Sequence, residues 1–322
     1  MRPQIIDLPD GTLITEPGFY RCSLEWHHAQ PCDGVSVTSG VLRKMDLETP
    51  ADVWAFHSLN PDRWGRDETD ALRLGAAMAY LVEGGADALL SAFEVHPPEK
   101  PRRPTAAQIA AYDEGRATEA GIASVEYWRA VDASPSRWLD QSEFQMLTDM
   151  HRVLLNDPAA IAVMGGIPEV TMAWFDDATQ LWCLARPDTI NFDGTVTDYK
   201  KMSAGGQPFS HRLVDRRITD HGYDMQLAFA AEAFERLTGS WPGMAGIVAQ
   251  SDKPPHHVIL REIAEDDLRL GQWRNRRALR RFRECLDSGH WPGPGDDTGA
   301  YIRPEWQREQ ILSLMASEGM SP

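Results

Sequence analysis

Cysteine is scarce in this chain. Cys22, Cys32, Cys183 and Cys285 are the only four, and they are widely scattered. That excludes a disulfide-dense scaffold and points to free thiols in a reducing compartment. In CSLEWHHAQPC, Cys22, His27, His28 and Cys32 stand at distances that suit a zinc ion. Structural zinc sites usually show tight C-x2-4-C pairs, which are absent, so ordinary loop residues are the competing reading. Long apolar runs are missing too. No stretch approaches the ~20 residues of a membrane span, and the opening MRPQIIDLPDGTLI has no apolar core or small-residue cleavage site. A cytoplasmic protein without a membrane role is expected. Positive charge is in deficit: 32 Lys and Arg against 48 Asp and Glu give a net −16, which argues against a general polyanion binder. Without G-x-x-x-x-G-K-[ST] no ATP motor is expected, and without G-x-S-x-G a serine hydrolase of that type has no support.

What is present is enough for a folded enzyme. A hydrophobic content of 42% with 11 Trp supplies a substantial core, and 322 residues admit one large or two ordinary domains. The charge deficit is not uniform. RLGQWRNRRALRRFR (269–283) carries seven arginines and no acid, so a locally basic track is available on an acidic protein. Its apolar stripe, Leu268, Leu279, Phe282 and Leu286, implies a helix over about 265–288 ended by Gly289. Arg274, Arg277, Arg280 and Arg281 are candidates for phosphate contact, against the plainer reading of a solvated face salt-bridged to acidic neighbours.

Residues 1–66 read as turns and short elements. Helical periodicity covers about 67–83, ended by Gly84-Gly85, then 105–133 and 141–157. After Asp157-Pro158 the period changes. EVTMAWF (169–175), QLWCLARPDTINF (180–192) and TVTDYKK (195–201) read as a three-stranded meander turned at Asp193-Gly194. Pro187 inside the second strand predicts a bulge or an edge. A helix over about 221–238, with Asp220 as N-cap, precedes strands at 244–250 and 256–263.

Chemistry concentrates on the meander. A period of two places Val196, Asp198 and Lys200 on one face, and the kink at Pro187 aims Asp188 toward it. Carboxylates are hard ligands for Mg2+ or Mn2+, and a lysine beside them offsets developing negative charge. Two acids and a lysine therefore suit metal-assisted phosphodiester hydrolysis, with Glu169 as a further carboxylate. The competing reading is a solvated strand end, since D-x-K alone is common. His151, His211 and His221 are weaker candidates for the same neighbourhood.

The order Glu169, RPD ending in Asp188, then DYK with Asp198 and Lys200 resembles the PD-(D/E)XK nuclease core. More closely, the chain resembles the RecE-type (exonuclease VIII-like) exonucleases of phages and prophages. SVTSGVLRKMDLETPADVWAFHSLNP (36–61) is similar to their N-terminal Ser-rich block, ALRLGAAMAYL (71–81) to their "lrlGsalHall" helix, and GYDMQLAF (222–229) to their Y-x-x-Q helix. The resemblance implies an α/β fold with a mixed central sheet flanked by helices. It implies a segment 1–66 packed on a nuclease domain 67–322. It also implies Mg2+-dependent (or Mn2+-dependent) 5′-to-3′ digestion of linear duplex DNA by a ring-shaped homo-oligomer, beside a single-strand-annealing recombinase. Metal ligation transfers to Glu169, Asp188 and Asp198, orientation of the attacking water to Lys200, and a place near the site to Gln226 and Tyr223. Ala79 stands where that helix usually has a metal-binding histidine, and Ala230 where a tyrosine is common. An altered metal shell is the expected consequence.

Overall fold

The computed structural model describes residues 3–65, 68–296 and 299–318. Arg66 and Asp67, at the expected start of the nuclease domain, lie outside them. Strands in chain order are β1 (Ile5–Asp7), β2 (Gly18–Arg21), β3 (Ser36–Thr38), β4 (Phe93–Val95), β5 (Arg137–Leu139) and β6 (Ile167–Pro168). There follow β7 (Thr171–Asp176), β8 (Leu181–Ala185), β9 (Thr189–Asn191), β10 (Thr195–Met202), β11 (Met244–Ser251) and β12 (Val258–Glu262). The fold is mixed α/β. One five-stranded sheet runs β1-β2-β7-β8-β3, a second runs β12-β11-β10-β9-β6, and β4 pairs with β5.

The expected meander is therefore divided between two sheets. Its second strand leaves the first sheet after Ala185 and enters the second at Thr189. Its first strand makes the same passage at Glu169-Val170, where Glu169 takes a left-handed φ of 54°. The pairing register does not slip across the passage. Ile167 faces Ile190 on one side and Met172 faces Ala185 on the other, and counting one residue at a time from either pair reaches the other. Pro187 thus marks a bend in one continuous hairpin rather than a bulge. A proline lacks the N–H a central ladder needs, so the chain changes sheet where that bond is dispensable.

Both sheets turn one face to a common core. Met172, Trp174 and Cys183 from the first meet Val196, Ile247 and Ala249 from the second, around Leu227, Phe229 and Phe234 of the Tyr223–Thr238 helix. Burying each phenyl ring contributes about 2–3 kcal/mol. That helix lies against the 24-residue helix Glu265–Ser288, which also packs on Ser39–Leu47. Leu268, Leu279 and Phe282 point inward as the periodicity requires. The opposite face of the second sheet is covered by helices Asp70–Ala92 and Gln141–Leu154, with Met78, Leu81, Leu147 and Met150 buried.

Three helix boundaries differ from expectation. The helix expected to stop at Gly84-Gly85 instead kinks at Gly85 (φ 70°, ψ −161°) and resumes to Ala92. The stretch 105–133 is two helices, Ala106–Asp113 and Glu119–Ala133. Asp220 lies inside a helix, His211–His221, and the cap of the next one is Gly222 at φ 62°, a conformation that suits glycine.

Candidate active site

The bent hairpin brings the acids together. Its register sets Glu169 opposite Asp188, and the Glu169 N–H donates to the Asp188 carbonyl at 3.1 Å. On the other side, Thr197 faces Thr189, so one further step sets Asp198 opposite Asp188. Glu169, Asp188 and Asp198 are thus neighbours across three adjacent strands, where the second sheet parts from the first. Lys200 follows two residues on, on the Asp198 face.

Asp198 is 2% exposed. Its Oδ1 accepts from Gln226 Nε2 at 2.9 Å, which fixes the carboxylate plane. Its Oδ2 is buried without an aligned hydrogen-bond donor, and the Lys200 ammonium faces it in an ion pair. Asp188 Oδ2 accepts from the Tyr199 N–H at 2.6 Å, taking the place a backbone carbonyl would hold in the ladder. Lys200 Nζ also lies 5.2 Å from the centre of the Tyr223 ring.

The charges are not balanced. Burial, and then the Asp198 charge, push the Asp188 carboxyl up to about 8. Burial disfavours the Lys200 ammonium, but Asp198 and Asp188 outweigh it and the net direction is up. Burial also raises Glu169, and Arg186 only partly offsets this; Glu83 and Asp198 add to the rise. One lysine thus serves two buried acids.

Arg186, which carried no assigned role in the sequence reading, is central here. Its Nε donates to Glu169 at 2.6 Å and its Nη1 to the Cys22 carbonyl at 2.8 Å, tying the bend to the first sheet. Its position two residues before Asp188 was the available signal. Glu83 was missed as well. It stands one helical turn beyond Ala79, on the same face, and its charge reaches Glu169.

A divalent cation fits this donor set in a limited way. Asp188 and Asp198 supply carboxylate oxygens, one of them met by the Lys200 ammonium alone, and an excess of negative charge. Mg2+ typically takes one or two carboxylates and keeps water or substrate phosphate for the rest. Among the described residues no group of three His, Cys, Asp or Glu forms a metal cluster. Glu169 is engaged by Arg186. The same result covers the zinc alternative: Cys22 and Cys32 are buried thiols, and His27 Nδ1 lies 3.0 Å from the Thr171 hydroxyl.

The remaining sequence candidates are dispersed. Arg274 pairs with Asp46 and Asp224, and Arg277 with Asp46, while Arg280 and Arg281 are exposed with no ion pair among the described residues. His221 lies beside the Tyr223 ring, centroids 5.3 Å apart. His151 is half-buried on the Gln141–Leu154 helix, and His211 opens its own helix. Among the described residues no helix is long and apolar enough to cross a membrane.

Comparison with known proteins bears on the fold and the family. No curated protein matches the chain. A crystal structure from Eubacterium rectale, described as a "Putative exonuclease", is similar with a TM-score of 0.59 at 12% identity, covering 92% of this chain and 98% of that one. Such identity speaks for the fold alone. Residues 61–303, three-quarters of the chain and including every acid of the bend, match the model of one family. The chain therefore belongs to the family of the PDDEXK-like domain of unknown function (DUF3799).

Proposed function

We propose that this chain is a divalent-metal-dependent exodeoxyribonuclease acting on linear duplex DNA. The observation that carries the reading is the rung of Glu169, Asp188 and Asp198 with Lys200 beside it. In particular, the buried Asp198 Oδ2 is met by the Lys200 ammonium alone. Asp188 and Asp198 would hold Mg2+, with Mn2+ as the alternative ion. A bound ion of this kind supplies Lewis-acid polarisation of a phosphoryl oxygen and hydroxide near neutral pH.

The protein's own groups do the rest. Gln226 holds Asp198 in one orientation through Oδ1, so its other oxygen stays turned to Lys200. Lys200 remains an ammonium between the two acids and meets the charge that develops on the phosphoryl oxygens. Tyr223 covers that ammonium with its ring. Arg186 neutralises Glu169 and keeps the bend closed on the first sheet. Arg280 and Arg281 are the arginines of the long helix left for phosphate contact.

The RecE-type assignment, 5′-to-3′ polarity, a ring-shaped homo-oligomer and an annealing recombinase as partner are supported by the likeness of motifs over residues 36–61, 71–81 and 222–229. The test is degradation of linear duplex DNA with Mg2+ or Mn2+, beside a closed circle and Asp198→Asn protein. Metal-dependent loss of the linear substrate alone, abolished in the variant, is expected. Cleavage by Asp198→Asn at the parent rate would remove the bend as the active site. Ala79 and the engaged Glu169 favour one second reading, a DNA-end-binding protein without turnover. It predicts DNA binding with no cleavage under either metal.

A further inference from the structure

Two cations near the acids are spent on them: Lys200 pairs with Asp198, and Arg186 with Glu169. A third, Arg43, has no acid. It lies on the nine-residue helix Ser39–Leu47, whose first residue lines the crevice that holds Arg186, Asp198 and Gln226. Four residues after Ser39, Arg43 shares that face of the helix. Its guanidinium carbon is 5.5 Å from the centre of the Tyr223 ring, the same ring that lies 5.2 Å from Lys200 Nζ. One ring therefore borders both cations.

The surroundings hold Arg43 in place without cancelling its charge. Its stem packs on Gly222, where an added Cβ would lie 3.6 Å from both Cγ and Cδ. Nη1 donates to the His221 carbonyl at 3.1 Å, at the end of the His211–His221 helix. A helix-end carbonyl carries only a partial charge, and this one takes a single donor of the five. Nε is buried with no hydrogen-bond partner, and Nη2 has none among the described residues. Asp46, one turn further along the helix, is already held by Arg274 and Arg277. A guanidinium that is fixed, half-buried and unmatched by any carboxylate is costly to keep unless something else uses it.

We propose that Arg43 grips a backbone phosphate of the DNA strand whose scissile linkage lies at Asp188 and Asp198. The inference rests on the nuclease reading of the site. An internal phosphodiester carries one charge and two free oxygens, which suit the planar fork of an arginine. Lys200 then serves the reacting linkage while Arg43 fixes a neighbouring one, so that the strand is held at two points beside Tyr223.

The test uses Asp198→Asn protein with Mg2+, so that binding is read without cleavage. Fluorescence anisotropy follows duplexes in which a neutral methylphosphonate replaces one linkage at a time from the end inward. At one or two linkages the replacement should weaken binding about tenfold. In the doubly substituted Asp198→Asn, Arg43→Gln protein the same replacement should cost nothing further, because the charge that met it is already gone. Arg43→Lys keeps the charge but not the fork and should fall between the two; it carries the test if Arg43→Gln does not fold. A residue that merely secures the His211–His221 helix would, when replaced, lower the melting temperature and leave every linkage effect in place. If neither variant loses a linkage effect, the role of Arg43 is overturned and the DNA reading stands. Failure of the Asp198→Asn protein to bind any duplex overturns both.

Discussion

Two regions of this molecule are crowded with charge in the sequence, and they use it in opposite ways. In the Glu265–Ser288 helix five of the seven arginines are matched, all but Arg280 and Arg281. Arg276 meets Asp176 and Glu232, Arg274 meets Asp46 and Asp224, and Arg277 meets Asp46. At the bent hairpin the acids outnumber their cations, and Asp188 is driven up to about 8. Paired charge holds elements together, whereas unpaired buried charge is a cost that persists only where something else uses it. The density of charge does not separate the two; the balance of signs does.

The comparison breaks most sharply at Asp198. Asp198→Asn is expected to lower nuclease turnover by about a thousandfold or more, with the melting temperature of the metal-free protein unchanged or higher. A loss of stability equal to the loss of turnover would make Asp198 a structural group like those on the arginine helix. Arg276→Ala should do the reverse. It strands Asp176 and Glu232, whose side chains are 4% and 3% exposed, and should cost about 3 kcal/mol. Arg236, which reaches both acids, keeps the figure from rising further. Turnover per folded molecule should stay at the parent level, as denaturant titration beside an activity assay would show.

A pH series sharpens the contrast. Asp188 has its folded value raised above the usual carboxylate range, so the folded state binds more protons than the unfolded one between about 4 and about 8. Its contribution is complete below the unfolded value and lost as pH rises through the folded one. Metal-free protein should therefore lose stability across that window, and Asp188→Asn should remove the loss, gaining on the order of 5 °C at pH 8. Thermal melts at pH 5 and pH 8 with chelator would test this; a gain equal at both would refute the charge as its cause. The smallest effect belongs to Arg280 and Arg281. Their joint replacement by Ala should change stability by no more than about 0.5 kcal/mol. The log–log salt dependence of DNA binding should become shallower by about one per arginine removed, and an unaltered slope would place the strand elsewhere.

Much of the site was legible because it is local. Asp193-Gly194 sets the turn, the period of two sets the face, and Asp198 with Lys200 follows. Gln226 and Tyr223 reached the site by resemblance of a motif, and their contacts with Asp198 and Lys200 agree with it. The division into two sheets was not legible, because both halves of the hairpin carry the same alternation, and only Pro187 hinted at the passage. A salt-bridged face was the plainer reading of the arginine helix, and it holds for Arg274, Arg276 and Arg277, but the identity of their partners was not legible. The acids that meet these three stand between 44 and 231 positions away, a distance over which periodicity says nothing. Arg186 escaped for the same reason, since its meaning depends on Glu169 across the bend.

That bend makes the hairpin a lever. Glu169 and Asp188 sit at its fulcrum, with one arm bonded into each sheet and no slack in register to absorb motion. Tilting one sheet against the other would move the arms most and the fulcrum least, because the Glu169 N–H bond to the Asp188 carbonyl pins the two strands there. The hairpin thus keeps these two acids in register at the point of the molecule where the two sheets part.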